Sequence, residues 1–204
     1  GYGFPGQPDS TFEYSRNSVA YNPETGEEVP ADTPIFMPFA GDKKGLLVEE
    51  GTINKYTAAR SRGLNPSGTG GSIVTVTPGQ PDPFGGTNAV RIQASGGTTL
   101  YKAVFSTAYV PAEGVSVSGQ MWVKNRSDTS LTVHSNLGHR EADVLKSQSW
   151  IKIVWENIRG NGSTHPQHQL RAPTIDDSID CDVAFLQYEE KPYCTSWQLG
   201  GVER

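Results

Sequence analysis

The chain has 204 residues, of which 35% are hydrophobic, 23 are glycine and 14 are proline, and its formal net charge at pH 7 is −5. This length allows one substantial β-domain or two small ones, and the glycine and proline content favours turns and short strands over helices. The negative charge argues against binding to nucleic-acid phosphates, which requires a basic surface. No segment reaches the roughly 20 apolar residues that a membrane-spanning helix needs, so no membrane insertion is expected.

The first fifty residues are predicted to form an extended arm. Prolines remove donors from a sheet ladder, and six of them interrupt this region: Pro5, Pro8, Pro23, Pro30, Pro34 and Pro38. A short edge strand is expected at 18–22, which would turn through 23–26, and residues 45–50 are expected to form a strand that enters the core. The opening residues contain neither an initiator methionine nor an apolar signal stretch, so a fragment of a longer chain is expected. The arm, 1–50, and the domain, 51–204, are expected to form one cooperative unit.

Strand candidates recur from residue 71 onwards, with glycine, proline, asparagine and aspartate clusters between them. They cover residues 72–77, 88–94, 99–106, 115–125, 130–137, 150–158, 167–172 and 180–190. Many short strands at regular spacing predict an all-β fold, an antiparallel jelly-roll β-sandwich that carries the extended N-terminal arm. Residues 140–149 are the one segment predicted to form a helical turn.

The strand VSVSGQMWVKN, residues 115–125, places a tryptophan on its polar side. Side chains of a strand alternate between two faces, and Trp122 shares the polar parity with Gln120. The next strand places His134 and Asn136 on its own polar parity. If the two strands pair as a hairpin through NRSD, all four side chains lie on one solvent-facing surface.

An indole beside amides and an imidazole is typical of sugar binding, because sugar C–H groups stack on the ring while hydroxyls bond the polar groups. We therefore predict a carbohydrate site of Trp122, Gln120, His134 and Asn136. Further candidates lie on adjacent strands or loops: Tyr101, His139, Arg140 and Arg171. Two alternatives stay open, in which the indole is covered by the arm or a neighbouring subunit, or the strand parity is misassigned. Trp155 shares the apolar parity of its strand and is expected in the core.

Catalytic signatures are missing from the sequence. It contains no G-x-S-x-G, no H-E-x-x-H and no phosphate-binding loop. Adjacent acids on a strand face opposite ways and cannot form the facing carboxylates of a glycosidase. We therefore expect a protein that is not an enzyme.

No cofactor is expected. Four clustered acids, Asp176, Asp177, Asp180 and Asp182, leave a structural calcium ion as an alternative to solvated surface acids, although they lack the D-x-[DN]-x-[DN]-G loop. The histidines are expected to be ordinary surface residues rather than a zinc site: His134, His139, His165 and His168. The two cysteines, Cys181 and Cys194, are expected to be free thiols, with a bridge between them left open.

Two segments near the ends of the chain carry motifs. Residues 12–57 read FEYSRNSVAYNPETGEEVPADTPIFMPF...KGLLVEEGTINKYT, and residues 183–197 read VAFLQYEEKPYCTSW. The first resembles the opening F-x-R-x-S-x-A-T-Y... G-L-L-V-E-E-A-R-T-N-L of β-sandwich modules in bacteriophage tail fibres and other tail proteins. The second resembles their closing G-A-Q-L-E-E-G-x-x-x-T-S-Y-I-P-T. The two motifs bracket nearly the whole chain.

This resemblance implies a concanavalin-like or carbohydrate-binding-module sandwich on a trimeric fibre of the virion tail. The implied function is host attachment through a cell-surface saccharide, and the implied assembly is a homotrimer. A structural trimerisation module without a ligand and an accessory module of a polysaccharide depolymerase remain alternatives. The motif positions are expected to be framework residues, with Asn54 and Glu49 bonding backbone: Glu49, Glu50, Asn54, Gln187, Glu189, Thr195 and Ser196.

Overall fold

A computed structural model describes residues 20–21, 28–30, 33, 36–39, 43–46, 54–56, 66–146 and 149–195. Every regular element in these ranges is a β-strand. The same ranges contain no helix that could span a membrane.

The described strands follow one another in chain order. They are β1 (Ala20–Tyr21), β2 (Glu28–Val29), β3 (Phe36–Phe39), β4 (Lys43–Leu46), β5 (Ser67–Gly68), β6 (Ile73–Gln80), β7 (Ala89–Ser95), β8 (Tyr101–Ser106), β9 (Ser116–Asn125), β10 (Leu131–Ser135), β11 (Arg140–Val144), β12 (Ile151–Arg159), β13 (Gln167–Arg171) and β14 (Ile179–Glu189).

Two antiparallel sheets of five strands form a sandwich. Sheet 1 has the order β11-β10-β13-β8-β5, and sheet 2 has the order β12-β9-β14-β7-β6. Strands that follow one another in the chain therefore often lie in different sheets, as in a jelly roll. The predicted all-β, antiparallel jelly-roll sandwich is confirmed, and each of the eight strand candidates from residue 71 onwards corresponds to a strand.

The core lies between the sheets and follows the predicted alternation. On β9, Val117, Met121 and Val123 point inward and are fully buried. Trp155 on β12 is also buried, which confirms its predicted core position. Each fully buried apolar side chain of this kind contributes about 1.5–3 kcal/mol to folding.

Two short antiparallel pairs precede the sandwich. Strand β1 pairs with β2 and β3 pairs with β4. The β1–β2 pair agrees with the short strand expected at 18–22 that returns after 23–26. Residues 47–50 and most of the predicted arm lie outside the described residues. The division at residue 50 therefore stays a prediction.

Residues 140–144 form the edge strand β11, so the predicted helical turn at 140–149 is wrong there. Val144 is buried and Ala142 half-buried, whereas the intervening Glu141 and Asp143 are exposed. This alternation has a period of two, which places one side of the segment against the core. Pairing with β10 along five register positions outweighs the local helical preference.

The connection between β9 and β10 crosses from sheet 2 to sheet 1, so the predicted hairpin is wrong. Asn125, at the end of β9, is completely buried. Its amide nitrogen donates to the carbonyls of Thr129 at 2.9 Å and Val144 at 2.8 Å. These bonds turn the chain toward sheet 1, where β10 pairs with β11 and β13 instead.

Asn54 joins the opening segment to the closing strand, as the motif resemblance implied. Its Nδ2 donates to the Leu186 carbonyl at 3.1 Å, and its Oδ1 accepts from the backbone N–H groups of Tyr56 and Tyr188, each at 3.1 Å. The bonded backbone lies at a register shift of β14 between Ala184 and Gln187. Asn54 therefore satisfies backbone groups at this irregularity. Glu49 and Glu50 lie outside the described residues.

The closing motif forms a buried network around one carboxylate. Glu189 is fully buried. Its Oε1 accepts from the Thr195 backbone at 2.6 Å and from Gln187 Nε2 at 2.8 Å, and its Oε2 accepts from Thr195 Oγ1 at 2.8 Å. These three motif residues are framework positions, as implied. Ser196 and Trp197 are outside the part of the chain that the structure describes.

Candidate functional site

The outer face of sheet 1 collects polar and aromatic side chains from four strands. Leu170 lies opposite Ala103 and Val133, and all three are fully buried, so residues one position away point outward. Tyr101 is two positions from Ala103 and joins this face because a register shift between Leu170 and Arg171 pairs it with Arg171. We call these outward side chains, together with one from the adjoining turn, the polar face: Tyr101, Ser106, Thr132, His134, Glu141, Asp143, Gln167, Gln169, Arg171 and His139.

A row of planar groups crosses the polar face. The Arg171 guanidinium carbon lies 5.9 Å from the centre of the Tyr101 ring. The Tyr101 and His134 ring centres are 5.5 Å apart, and those of His134 and His139 are 6.0 Å apart. Arg171 Nη1 also contacts Glu141 Oε1 at 3.0 Å. A cation, a phenol and two imidazoles therefore lie side by side next to a carboxylate.

A tight turn supplies the last ring of this row. The turn between β10 and β11 contains Gly138, at φ +77°, and His139, at φ +46°. Left-handed backbone is common for glycine but unusual for other residues. This conformation brings the His139 ring back beside His134, and such strained positions are found more often at functional sites than elsewhere.

Amide side chains fix the orientation of His134. Its Nδ1 lies 2.9 Å from Gln169 Oε1, and Gln169 Nε2 donates to Gln167 Oε1 at 2.8 Å. Gln167 Nε2 in turn lies 3.5 Å from Ser106 Oγ. His134 is only 6% exposed. The polar face therefore holds this imidazole in one position before any ligand binds.

The structure brings together four of the eight predicted site residues. Tyr101, His134, His139 and Arg171 share the polar face. Sequence reasoning missed Gln169, Gln167 and Glu141. The signal was present in QHQLRA, where Gln167, Gln169 and Arg171 share one parity while the alternate residues are buried.

Asn136 and Arg140 lie at the end of sheet 1. Asn136 Oδ1 accepts from the Gln167 backbone at 2.8 Å, and its Nδ2 donates to the His165 carbonyl at 2.9 Å. It therefore joins the β10–β11 turn to the loop before β13. Arg140 is paired in register with Ser135, whose side chain faces the core. Arg140 therefore does not lie on the polar face.

Trp122 and Gln120 lie on sheet 2, away from His134 and Asn136, so the predicted common surface is wrong. The Trp122 indole packs against Phe84, with ring centres 5.4 Å apart and planes at 74°. Gln120 is 1% exposed, and its Nε2 donates to the Thr195 carbonyl at 3.1 Å. The side chain that packs against the indole comes from the β6–β7 connection of the same chain. The alternatives in which the arm or a second subunit covers it stay untested, because most of the arm lies outside the described residues.

Asp82 builds the turn that places Phe84 over the indole. Its Oδ1 accepts from the backbone of Phe84 at 2.9 Å and of Gly86 at 3.1 Å. Its Oδ2 accepts from the Asn88 backbone at 3.1 Å and the Asn88 amide at 2.9 Å. Four hydrogen bonds to one buried carboxylate fix the whole turn.

Ion pairs occupy the neighbouring part of the outer face of sheet 2. Arg91 Nε donates to Asp180 Oδ1 at 2.8 Å, and Arg126 Nε donates to Asp182 Oδ2 at 2.8 Å. The hydrogen bond from Arg91 holds the pKa of Asp180 below its ordinary value. Bonding to Asp182 raises the pKa of Arg126. Two of the four acids suggested for calcium are thus engaged by arginines.

The described ranges do not gather metal-binding side chains. These contain no group of three or more histidine, cysteine, aspartate or glutamate side chains that could hold a metal ion. A groove of about 590 Å³ beside Asp180 is lined by residues that include Ile73, Thr75, Gln93 and Arg126, and no aromatic ring lines it. It offers no stacking surface for a sugar ring.

His168 is completely buried, so its prediction as a surface residue is wrong. It lies on the inward parity of β13 and stacks on Trp155 with ring centres 4.5 Å apart and planes at 23°. Neither ring nitrogen has a hydrogen bond of normal geometry among the described residues, although the Gln187 backbone lies beside the ring. Burial lowers the pKa of His168 to about 3. The core therefore contains a neutral imidazole.

Both cysteines are free, and no bridge joins them. Cys181 is buried in the core, and Cys194 is half-buried near the Trp155 carbonyl. Burial raises the pKa of both thiols. Neither is therefore an activated nucleophile.

No protein-family model and no curated protein matches the chain. Among solved structures, the CBM22-1 xylan-binding domain from Paenibacillus barcinonensis Xyn10C is similar at 17% identity and a TM-score of 0.41, over 70% of this chain and 94% of that one. The family 11 carbohydrate-binding module of Lic26A-Cel5E from Clostridium thermocellum matches at 12% identity and a TM-score of 0.39, over 62% and 86% of the two chains.

The enzymatically active domain of tailspike protein 4 from bacteriophage CBA120 is similar at 12% identity and a TM-score of 0.40. The match covers 67% of this chain but only 21% of the tailspike chain. All three likenesses are distant, and the fold assignment rests on the strand order of the two sheets.

Proposed function

We propose that the polar face of sheet 1 is a saccharide-binding site. The observation that carries this proposal is the row of Arg171, Tyr101, His134 and His139, in which ring centres are 5.5 and 6.0 Å apart. A sugar presents C–H groups that pack on an aromatic ring and hydroxyls that both donate and accept hydrogen bonds. The polar face offers both kinds of contact within one surface.

Each group of the face has a role in this proposal. The Tyr101 ring supplies the stacking surface. The Arg171 guanidinium donates to sugar hydroxyls, and the Glu141 carboxylate beside it accepts from them. Pairing of these two side chains at 3.0 Å holds both charges in place before binding. Asn136 positions the loop at one end of the site.

The broader function we propose is host attachment as part of a phage tail fibre. The support is the pair of terminal motifs, whose positions Asn54, Gln187, Glu189 and Thr195 form the bonded framework described above. In this proposal the module acts extracellularly in the virion tail and binds a cell-surface saccharide. A homotrimer would raise avidity by presenting three weak sites together.

Binding of the labelled protein to a glycan array and to candidate host cells tests the proposal. Tyr101→Ala is expected to weaken saccharide binding at least about tenfold, which corresponds to about 1.4 kcal/mol. Trp122→Ala, on the opposite sheet, serves as the matched aromatic control and is expected to bind as the wild type does. Absence of any saccharide binding by the folded wild-type protein would overturn the proposal. Loss of binding in folded Trp122→Ala, with binding kept in Tyr101→Ala, would overturn the proposal and move the site to sheet 2.

A structural fibre module without a ligand is the second candidate. The observation that favours it is edge strand β12, where Ile151 is 37% and Val154 is 40% exposed. Exposed apolar residues on a sheet edge suit packing between subunits. Sedimentation of Val154→Lys against the wild type tests this candidate. A trimer that dissociates only in the variant supports it, and an unchanged assembly contradicts it.

A further inference from the structure

We infer that His134 binds the saccharide as a hydrogen-bond acceptor through Nε2, so that binding requires the neutral imidazole and is lost in acid. This inference rests on the proposed function of the polar face. It assigns a tautomer to His134 and a pH dependence to the site. Both follow from the direction of one hydrogen-bond chain.

The chain of hydrogen bonds begins at a backbone carbonyl. Ser106 Oγ donates to the Thr107 carbonyl at 3.3 Å. A carbonyl can only accept, so the Ser106 hydroxyl is the donor in this bond. Gln167 Nε2 donates to Ser106 Oγ at 3.5 Å. The carboxamide of Gln167 is thereby oriented with its Oε1 toward Gln169.

The same direction continues to the imidazole. Gln169 Nε2 donates to Gln167 Oε1 at 2.8 Å, which leaves Gln169 Oε1 facing His134 Nδ1 at 2.9 Å. An amide oxygen can only accept, so Nδ1 carries the proton. In the neutral ring the other nitrogen, Nε2, is then an acceptor with a free lone pair.

His134 Nε2 is available to a ligand. No residue of the described ranges hydrogen-bonds it, and His134 as a whole is 6% exposed. The Tyr101 and His139 ring centres lie 5.5 and 6.0 Å from that of His134. A sugar hydroxyl lying over Tyr101 would therefore meet an acceptor at the adjacent position of the row.

Charged and titratable groups from each neighbouring element face His134. Glu141 on β11 is the register partner of His134, and His139 comes from the turn between β10 and β11. Tyr101 comes from β8, and Arg171 lies on β13. The Glu141 carboxylate is already bonded to Arg171 at 3.0 Å. On the same sheet face, Asp143 accepts from Thr132 Oγ1 at 2.7 Å. His139 is the other imidazole of this set.

Protonation of His134 converts Nε2 from an acceptor into a donor. The hydroxyl proton that pointed at Nε2 then meets an N–H, and the contact is lost. Saccharide affinity is therefore expected to be higher with His134 neutral than with His134 protonated.

The first test needs no ligand. Two-dimensional ¹H–¹⁵N spectra of the histidine rings report which nitrogen carries the proton in the free protein. We expect His134 to be protonated at Nδ1, and Gln169→Leu to lose this preference because the accepting oxygen is gone. A neutral ring protonated at Nε2 in the wild type would overturn the inference and leave the proposed saccharide site intact.

The second test measures affinity for the best array ligand between pH 5 and pH 8. Wild-type affinity is expected to fall about tenfold or more, with the same midpoint as the ring titration of His134 in the free protein. Gln169→Glu should move both midpoints to higher pH, because a carboxylate stabilises the protonated ring. His165→Gln, which removes an exposed loop histidine, is the control and should keep the wild-type profile. A pH-independent affinity, or a midpoint that follows His165, would overturn the inference, whereas no binding at any pH would overturn the proposed function itself.

Discussion

The ring of Phe84 meets the indole of Trp122 edge-on, with centroids 5.4 Å apart and planes at 74°. Phe84 also contacts Phe185, at 5.3 Å between centroids. Ala89, Ala184 and Trp150 also belong to this small cluster on the outer face of sheet 2. A tryptophan on the polar parity of its strand therefore packs in a second, local apolar cluster.

Trp122→Ala is expected to lower the free energy of unfolding by about 2–4 kcal/mol, because it removes a large half-buried side chain and its edge-to-face contact. Saccharide binding to the polar face is expected to stay unchanged. Urea denaturation followed by circular dichroism gives the stability, and a binding assay on the same preparation gives the affinity.

Phe84→Ala and the double variant complete a thermodynamic cycle for this contact. The two single losses should sum to more than the loss in the double variant, by about 0.5–1.5 kcal/mol. Strict additivity would show that the two rings do not stabilise each other. It would also leave the indole free to serve as an exposed binding surface.

The buried His168 predicts a loss of stability in acid. Its pKa is lowered to about 3 in the fold by burial, whereas an unfolded histidine titrates near about 6.5. The unfolded state therefore takes up the proton first as the pH falls. Stability is fully present above about pH 6.5 and decreases by about 1.4 kcal/mol per pH unit down to about pH 3.

His168→Phe isolates this contribution. Phenylalanine keeps a ring against Trp155 and removes the titrating group, so the difference in unfolding free energy between variant and wild type should grow in favour of the variant from pH 6.5 to pH 4. Carboxylates with lowered pKa, such as Asp180, also weaken the fold in acid, but they do so equally in both proteins. Parallel pH profiles for the two proteins would contradict the assignment.

The strands of this fold follow from the sequence, whereas their arrangement in two sheets does not. Alternation identified β9 correctly because Val117, Met121 and Val123 point into one core. A period of two gives the inward face of a strand but not the sheet to which it belongs. The choice between a hairpin and a crossing after β9 depends on Asn125, whose buried amide donates to the Thr129 carbonyl in the connection and to the Val144 carbonyl at the end of β11.

Only part of the candidate site could be predicted from the sequence, because alternation gives the face of a strand but not the sheet to which the strand belongs. Correct parity placed His134 on an outer face, and strand adjacency brought in Tyr101 and Arg171. Trp122 was assigned to that face only through the wrong hairpin. The parity of QHQLRA puts His168 on the buried side of its strand. The prediction of a surface histidine used only the residue type, which does not decide burial for histidine.

Asn54→Leu is expected to lower the free energy of unfolding by about 3–5 kcal/mol. The change leaves the Leu186 carbonyl and the Tyr188 N–H without this partner at the irregular part of β14. Asn54→Asp keeps the acceptor and loses the donor, and it also buries a charge, so it should be no more stable than the leucine variant. Chemical denaturation compares all three proteins. A loss below about 1 kcal/mol in both variants would show that the motif residue does not hold the closing strand.

Lys102→Met is expected to loosen two loops at one end of sheet 1. The fully buried Lys102 donates from Nζ to the Gly96 carbonyl at 2.8 Å and to the Ile175 carbonyl at 2.6 Å. Methionine keeps most of the buried chain but removes both charge-assisted bonds, so the free energy of unfolding should fall by about 2–4 kcal/mol. Amide exchange should accelerate most around residues 96 and 175.

Lys152→Met, at an exposed position of β12, is the matched control and should change stability by less than about 0.5 kcal/mol. Equal effects of the two substitutions would mean that the buried ammonium does not join these loops.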